Sequence, residues 1–207
     1  NDFYIYLTST NTNAELLNSQ RLSKIKAKEY TFTGVTEGNF AKDQLPTLID
    51  LKLKIGAQVM MLNNDSGGRF INGTIGKITS IDKDEEIPKL IILLETGKTV
   101  SIAPYTWESY HFYLEGTELK SGITGTFTQY PVMLAWAITI HKSQGKTFDK
   151  VILDIGKGTF AHGQMYVALS RCTCLEGLII KKKIARKHIW MDWNVVKFVT
   201  EYQYKKS

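Results

Sequence analysis

Cysteine is nearly missing from this chain: Cys172 and Cys174 are the only two in 207 residues. Lying one residue apart, they cannot staple a fold, so a reducing compartment is expected. Histidine is as sparse, and His111, His141, His162 and His188 are scattered, so no metal site is expected. No apolar run approaches the roughly 20 residues that a membrane span needs. The opening NDFYIYLTST has no basic stretch followed by an apolar one, so no secretion signal is visible. A soluble, cytoplasmic protein with no membrane partner is the expectation. Two further absences bear on chemistry. Gly145-Lys146-Thr147 and Gly97-Lys98-Thr99 end like phosphate loops, but Ile140 and Ile92 stand where each would need its earlier glycine. Nor does any hydrophobic strand end in adjacent acidic residues able to hold Mg²⁺. The chain alone is expected not to hydrolyse ATP.

What is present is a core and a basic surplus. Hydrophobic residues make up 43%, enough for one ordinary domain with an insertion or for two small ones. The net charge is +6 and the pI about 9.1, a mild bias toward polyanionic partners. Beyond Gly177 lie Lys181, Lys182, Lys183, Arg186, Lys187, Lys197, Lys205 and Lys206 against only Asp192 and Glu201. A solvated face accounts for such lysines as readily as a binding surface does.

In chain order, Phe3 to Thr8 reads as a buried strand entering a helix from about Thr12, where Thr12 and Glu15 have capping-box spacing. The intervening Ser9, Thr10 and Asn11 suit either an anion site at the helix N-terminus or an ordinary cap. Residues 26–54 read as connection. Short strands then follow: Ile55 to Leu62, Thr74 to Ile81 after an Asn72-Gly73 turn, and Leu90 to Leu94 hairpinned to Thr99–Ile102. These predict a small SH3-like or OB-like barrel inserted over roughly 55–128. From Val132 an α/β pattern resumes. It predicts a strand to Ala135, a short helix from Trp136 to Gln144, a strand at Lys150–Ile155, a helix from His162 to Arg171 and a strand at Leu178–Ile180. A last helix opens at Asp192 and buries Val195, Val196, Val199 and Tyr202. The expected fold is α/β, a largely parallel sheet covered on both faces.

Two helical stretches carry the candidate chemistry. Thr139, Lys142 and Ser143 share a face by spacing, and with His141 they suit phosphate oxygens better than base edges. Gln144 and Gly145 close that stretch and are free for another ligand. On the second, Gln164, Ala168 and Arg171 fall at i, i+4, i+7, with Met165, Leu169 and Cys172 as the buried stripe opposite. Arg171 suits two roles, stabilising charge on a transferring phosphoryl group or pairing with a structural carboxylate.

These residues resemble a known family. AWAITIHKSQG with FDKVILDIG resembles motif V of the superfamily-one DNA helicases of the Pif/RecD type, and GQMYVALSRC with LEGL resembles motif VI. YLTSTN followed by Asn18 is similar to motif IV. GAQVMML and NGTIGKI look like the start of the SH3-like module that this family inserts into its second RecA-like domain. The resemblance implies a discontinuous RecA-like domain over 1–54 and 129–207 around an SH3-like insert at 55–128. It implies that Arg171 reaches the γ-phosphate of ATP, with Gln144, Gly145 and Gln164 lining the same cleft. Thr10, Asn11, Thr139, His141, Lys142 and Ser143 would follow single-stranded DNA, and Asn72 and Gly73 would close over the strand. ATP and Mg²⁺ would be held by an N-terminal RecA-like partner domain, and the whole protein would unwind DNA 5′→3′. The alternative expectation is a stand-alone single-stranded nucleic-acid-binding module, resting on the basic charge and on Tyr105, Trp107, Tyr110, Phe112 and Tyr113.

Overall fold

The computed structural model describes residues 3–82, 86–156, 158 and 161–204. Strand β1 (Ile5–Thr8) leads into helix α1 (Asn11–Lys24), then β2 (Glu29–Thr33), β3 (Val35–Gly38), β4 (Asp50–Lys54) and β5 (Gln58–Met61). Next come β6 (Ile75–Asp82), β7 (Lys89–Leu94), β8 (Thr99–Ile102), β9 (Tyr105–Glu115), β10 (Glu118–Gln129) and β11 (Val132–Leu134). The chain ends with β12 (Ala137–Thr139), β13 (Val151–Asp154), α2 (Gln164–Leu169), β14 (Leu178–Ile180) and α3 (Trp193–Tyr204). These elements form two compact units, one from Asn1–Ser19 with Trp136–Ser207, the other from Gln20–Ala135.

The discontinuous unit is built on a four-stranded parallel sheet ordered β12-β1-β13-β14. Its inner strands β1 and β13 read as largely apolar runs because inner parallel strands are covered on both faces, whereas Ile179 and Ile180 of the edge strand β14 are exposed. Ile5, Leu7, Ile138, Val151 and Leu153 are buried accordingly. Burial of each such side chain stabilises the fold by about 1.5–3 kcal/mol. Helix α1 starts earlier than its expected cap at Thr12. The Asn13 amide donates to Thr10 Oγ1 at 3.4 Å, so Thr10 caps it.

Three expectations for this unit fail. Trp136–Gln144 is not a helix, because Ala137–Thr139 pairs with Tyr6–Thr8 as β12 and the rest turns. Ala137, Ile138, Thr139 and Ile140 are buried in succession, as a two-sided strand requires and a surface helix does not. The helix expected to reach Arg171 stops at Leu169, and its Gln164, Met165 and Ala168 form the buried side while Leu169 is exposed. The last helix forms, but of the residues expected to be buried Val195, Val199 and Tyr202 are exposed and Val196 is only half-buried.

The continuous unit is all-β. A five-stranded antiparallel sheet runs β11-β5-β6-β7-β8, beside a three-stranded sheet β3-β10-β9 and a β2-β4 pair. Its core gathers Leu51, Leu53, Met60, Met61, Ile75, Ile78, Leu90, Ile92, Leu94 and Phe127. Gly76 permits the close approach of β6 to β7, since a Cβ there would lie 2.5 Å from Ile92 Cγ2. The stretch expected to be mere connection holds β2, β3 and β4. Leu51 and Leu53 alternate inward there, opposite Phe32 and Tyr30. Val132–Leu134 forms its expected strand but pairs antiparallel with β5 in this unit, not in the parallel sheet.

Candidate nucleic-acid and nucleotide interface

Ligands of open parallel α/β sheets gather at the carboxyl ends of the strands, where loops leave the sheet. In the discontinuous unit two such ends are neighbours. β1 delivers Ser9, Thr10 and Asn11 into the start of α1, and β12 delivers the turn Ile140–Gly145. The Ile140 amide donates to Thr8 O at 2.9 Å, which carries the β1–β12 pairing one step into that turn. Thr10 and Asn11 are exposed, while Thr8 and Ser9 are buried and hydrogen-bonded to backbone carbonyls.

The turn divides its polar residues by role. Thr139 and Ser143 are enclosed, Ser143 completely. Thr139 Oγ1 accepts from the Lys142 amide at 3.3 Å and its carbonyl from the Ser143 amide at 3.1 Å. Ser143 Oγ donates to Ile140 O at 2.6 Å. Both hydroxyls therefore brace the turn, and the surface is left to His141, Lys142 and Gln144. Gly145 closes it at φ +73°, with open space where a Cβ would stand. Only a residue tolerant of the left-handed region sits there without strain.

Arg171 packs against the far side of this turn, half-buried, one residue past the Ser170 cap of α2. Its Nη1 donates to Lys146 O at 2.9 Å and, more loosely, to Ser143 O at 3.5 Å. Its Nε donates to Val167 O at 3.0 Å and its Nη2 to Ser170 Oγ at 3.0 Å. Among the described residues no ion pair engages it. Neutral acceptors thus orient the guanidinium without cancelling its charge. The arginine had been open to two roles, and the carboxylate-paired one has no partner here. Gln164, at the start of α2, is buried.

At the same carboxyl end, toward the sheet's β14 edge, Lys181 Nζ donates to Asp154 Oδ2 at 2.7 Å. Burial pushes the Asp154 carboxyl up, but the bonds from Lys181 and the Gly156 amide, with the charges of Lys181 and Lys182, outweigh it. The net result lies below the usual carboxylate range. The Asp154 bond in turn raises Lys181. The two cysteines are free thiols. Among the described residues no group of three or more His, Cys, Asp or Glu is placed to hold a metal ion. Ile140 and Ile92, at the positions a phosphate loop would give to glycine, are both buried.

Asn72 and Gly73 belong to the all-β unit. Asn72 is exposed, its amide donating to Asn64 Oδ1 at 2.8 Å and its Nδ2 to Leu62 O at 3.2 Å. Gly73, at φ +104°, donates to Met61 O at 2.9 Å. The loop ahead of them is pinned by a two-pronged Arg69–Asp65 pair with bonds of 2.9 and 2.6 Å. Arg69's hydrogen bonds hold the Asp65 carboxyl far below the usual range. The aromatic cluster expected near this unit splits. Trp107 stacks on Phe127 with ring centres 5.7 Å apart, whereas Tyr110, Phe112 and Tyr113 are exposed.

The family model of the UvrD-like helicase C-terminal domain matches residues 134–173, from the end of β11 through β12, its turn and Arg171. The ATP-dependent DNA helicase Pif1 of Campylobacter jejuni is 32% identical over 98% of this chain and 49% of its own length. The chain belongs to the Pif1 helicase family. Bacteroides Pif1 in complex with ADP-AlF4 superposes with a TM-score of 0.87 at 34% identity, over 99% of this chain and 46% of that one. Bacteroides Pif1 bound to ssDNA gives 0.74 over 98% and 46%. The chain thus spans about half the length of these Pif1 relatives. No described helix is long and apolar enough to cross a membrane.

The residue that motif reading left without a role is Asn18. It is buried in α1 and bonded to β12. Its place eight residues after Thr10 marks the motif, but nothing in the sequence says which strand it meets.

Proposed function

We propose that this chain works as the C-terminal part of an ATP-dependent 5′→3′ DNA helicase, lending an arginine to an ATP site whose phosphate loop lies on an N-terminal RecA-like domain. Arg171 is that arginine, and Gln144, Gly145 and Gln164 line its side of the cleft. The chain's own residues do not fit the binding of Mg²⁺ and ATP phosphates, because Ile140 and Ile92 stand in place of the necessary glycines. Arg171 therefore acts toward a nucleotide held by another lobe, stabilising charge on the transferring phosphoryl group.

Thr10, Asn11, His141 and Lys142 meet the backbone of single-stranded DNA, with Thr139 and Ser143 shaping the turn that presents them. Asn1–Ser19 with Trp136–Ser207 is the RecA-like domain, narrower than the 1–54 and 129–207 expected, and the SH3-like insert at 55–128 lies within the all-β unit, its Asn72 and Gly73 contacting single-stranded DNA. The observation that carries the reading is the guanidinium of Arg171, fixed by carbonyl oxygens with no ion pair among the described residues. The decisive experiment is DNA-stimulated ATP hydrolysis by the full-length protein with Arg171→Ala. Wild-type turnover in that variant sinks the proposal.

The stand-alone module is the weaker reading. Tyr110, an exposed aromatic on β9, donates its hydroxyl to Glu108, and Glu115 and Glu118 flank the hairpin tip against Lys120 alone. Stacking platforms for single strands need basic neighbours.

A further inference from the structure

β12 is the end strand of the parallel sheet and only three residues long. Alternate residues of a parallel strand turn their peptide groups to opposite sides. Trp136 O accepts from the Tyr6 amide and the Ile140 amide donates to Thr8 O, so Ala137 faces the open edge. There the Asn18 carboxamide meets it in both directions. Nδ2 donates to Ala137 O at 2.8 Å and Oδ1 accepts from the Ala137 amide at 2.8 Å. A carboxamide carries the donor and acceptor of a peptide group, so Asn18 stands in for a fifth strand over one residue.

Asn18 also belongs to the helix that opens at Asn11, and Ala137 lies two residues before Thr139. We propose that Asn18 is a positioning residue for DNA binding. By locking α1 to β12 it fixes the spacing between the exposed Thr10–Asn11 start of the helix and the His141–Lys142 turn. It touches no ligand itself. This rests on the proposal that those two segments contact DNA. A side chain lacking either half of the pair leaves Ala137 unmatched at a buried edge and lets the turn drift relative to the helix.

The test uses the full-length helicase and a fluorescein-labelled oligothymidylate. Asn18→Asp keeps shape and acceptor but loses the donor while ionised, and the protonated acid restores it; burial raises that acid's pKa. At neutral pH the variant should bind about tenfold more weakly than wild type, the equivalent of one lost polar contact. Near about pH 5 the ratio of variant to wild-type affinity should return toward one. Taking the ratio removes every pH effect common to the two proteins. Melting curves at each pH confine the comparison to folded protein, and Asn18→Ala, lacking both groups, should weaken binding at every pH. A variant with lowered melting temperature but wild-type affinity at both pH values makes Asn18 merely structural and overturns the proposal. Lys142→Ala, measured alongside, separates the two levels. If it leaves affinity unchanged, the DNA-facing reading fails and this inference fails with it. If it weakens binding while Asn18→Asp does not, this inference alone is wrong.

Discussion

Arg171 Nη1 donates to the carbonyl of Lys146 at 2.9 Å, so the turn that leaves β12 is the same one that aims the arginine. Substitution at Arg171 thus removes a charge and loosens a loop together. Arg171→Ala should lower DNA-stimulated ATP hydrolysis of the full-length protein roughly 10³–10⁵-fold at saturating ATP. Arg171→Lys should recover little, since one ammonium cannot reproduce the forked donors now shared among Lys146, Val167 and Ser170. Steady-state rates at saturating DNA check both.

Lys142 is exposed on a turn whose hydroxyls are turned inward, so it should act as a plain phosphate contact. Lys142→Ala should weaken binding of oligothymidylate and oligoadenylate alike. The slope of log affinity against log salt should fall by about 0.7 in magnitude, one phosphate's worth on single strands. A loss confined to one sequence argues against that role.

Gly177 is buried, and a Cβ there would lie 1.7 Å from Asp149 O. That oxygen is backbone and cannot swing aside. Gly177→Ala should cost about 2–4 kcal/mol, read from urea unfolding of the isolated chain. Gly68→Ala, with nothing near its Cβ, meets only the strain of φ +67° and should cost about 1–2 kcal/mol.

The Asp154–Lys181 pair sets a pH dependence with a definite sign. Asp154 is lowered in the folded chain, so its contribution is fully present above the unfolded value of about 3.9 and is lost as pH falls through the lower folded one. Lys181 is raised, so its share is present below about 10.4 and is lost as pH rises through the folded value. Half of the lysine side chain is exposed, and solvent screening keeps the pair to about 0.2–1 kcal/mol. Lys181→Met should flatten the acid limb of stability between about pH 5 and 2 by that amount. Denaturant titrations across that range measure it.

Much of the parallel sheet was legible. IYLT, VILD and LII are apolar runs of strand length, and each forms a strand. β12 was not, because Thr139, Lys142 and Ser143 fall at helical spacing while the partner that makes Ala137–Thr139 a strand lies 130 residues away in β1. DLKLK did carry the alternation of β4, inside a segment too polar overall to stand out. For α3 the pattern of Val195, Val199 and Tyr202 announced an apolar stripe. Periodicity says which side is apolar, not whether this chain covers it. The type and place of Arg171 were readable from its motif. Its orientation was not, since the carbonyls that hold it have no signature in side-chain identity.

β1 is paired on both sides with strands made long after it, and Thr8 reaches Ile138 across 130 residues. Between them lies the whole of Gln20–Ala135, whose sheets need nothing from either end. During synthesis, then, the all-β segment is complete while the first strand still waits for its neighbours. Closing so wide a separation is entropically costly and slow. The residues of β1 are thus made before the all-β segment but placed after it, and the apolar Ile5 and Leu7 stay open to mispairing for that whole interval.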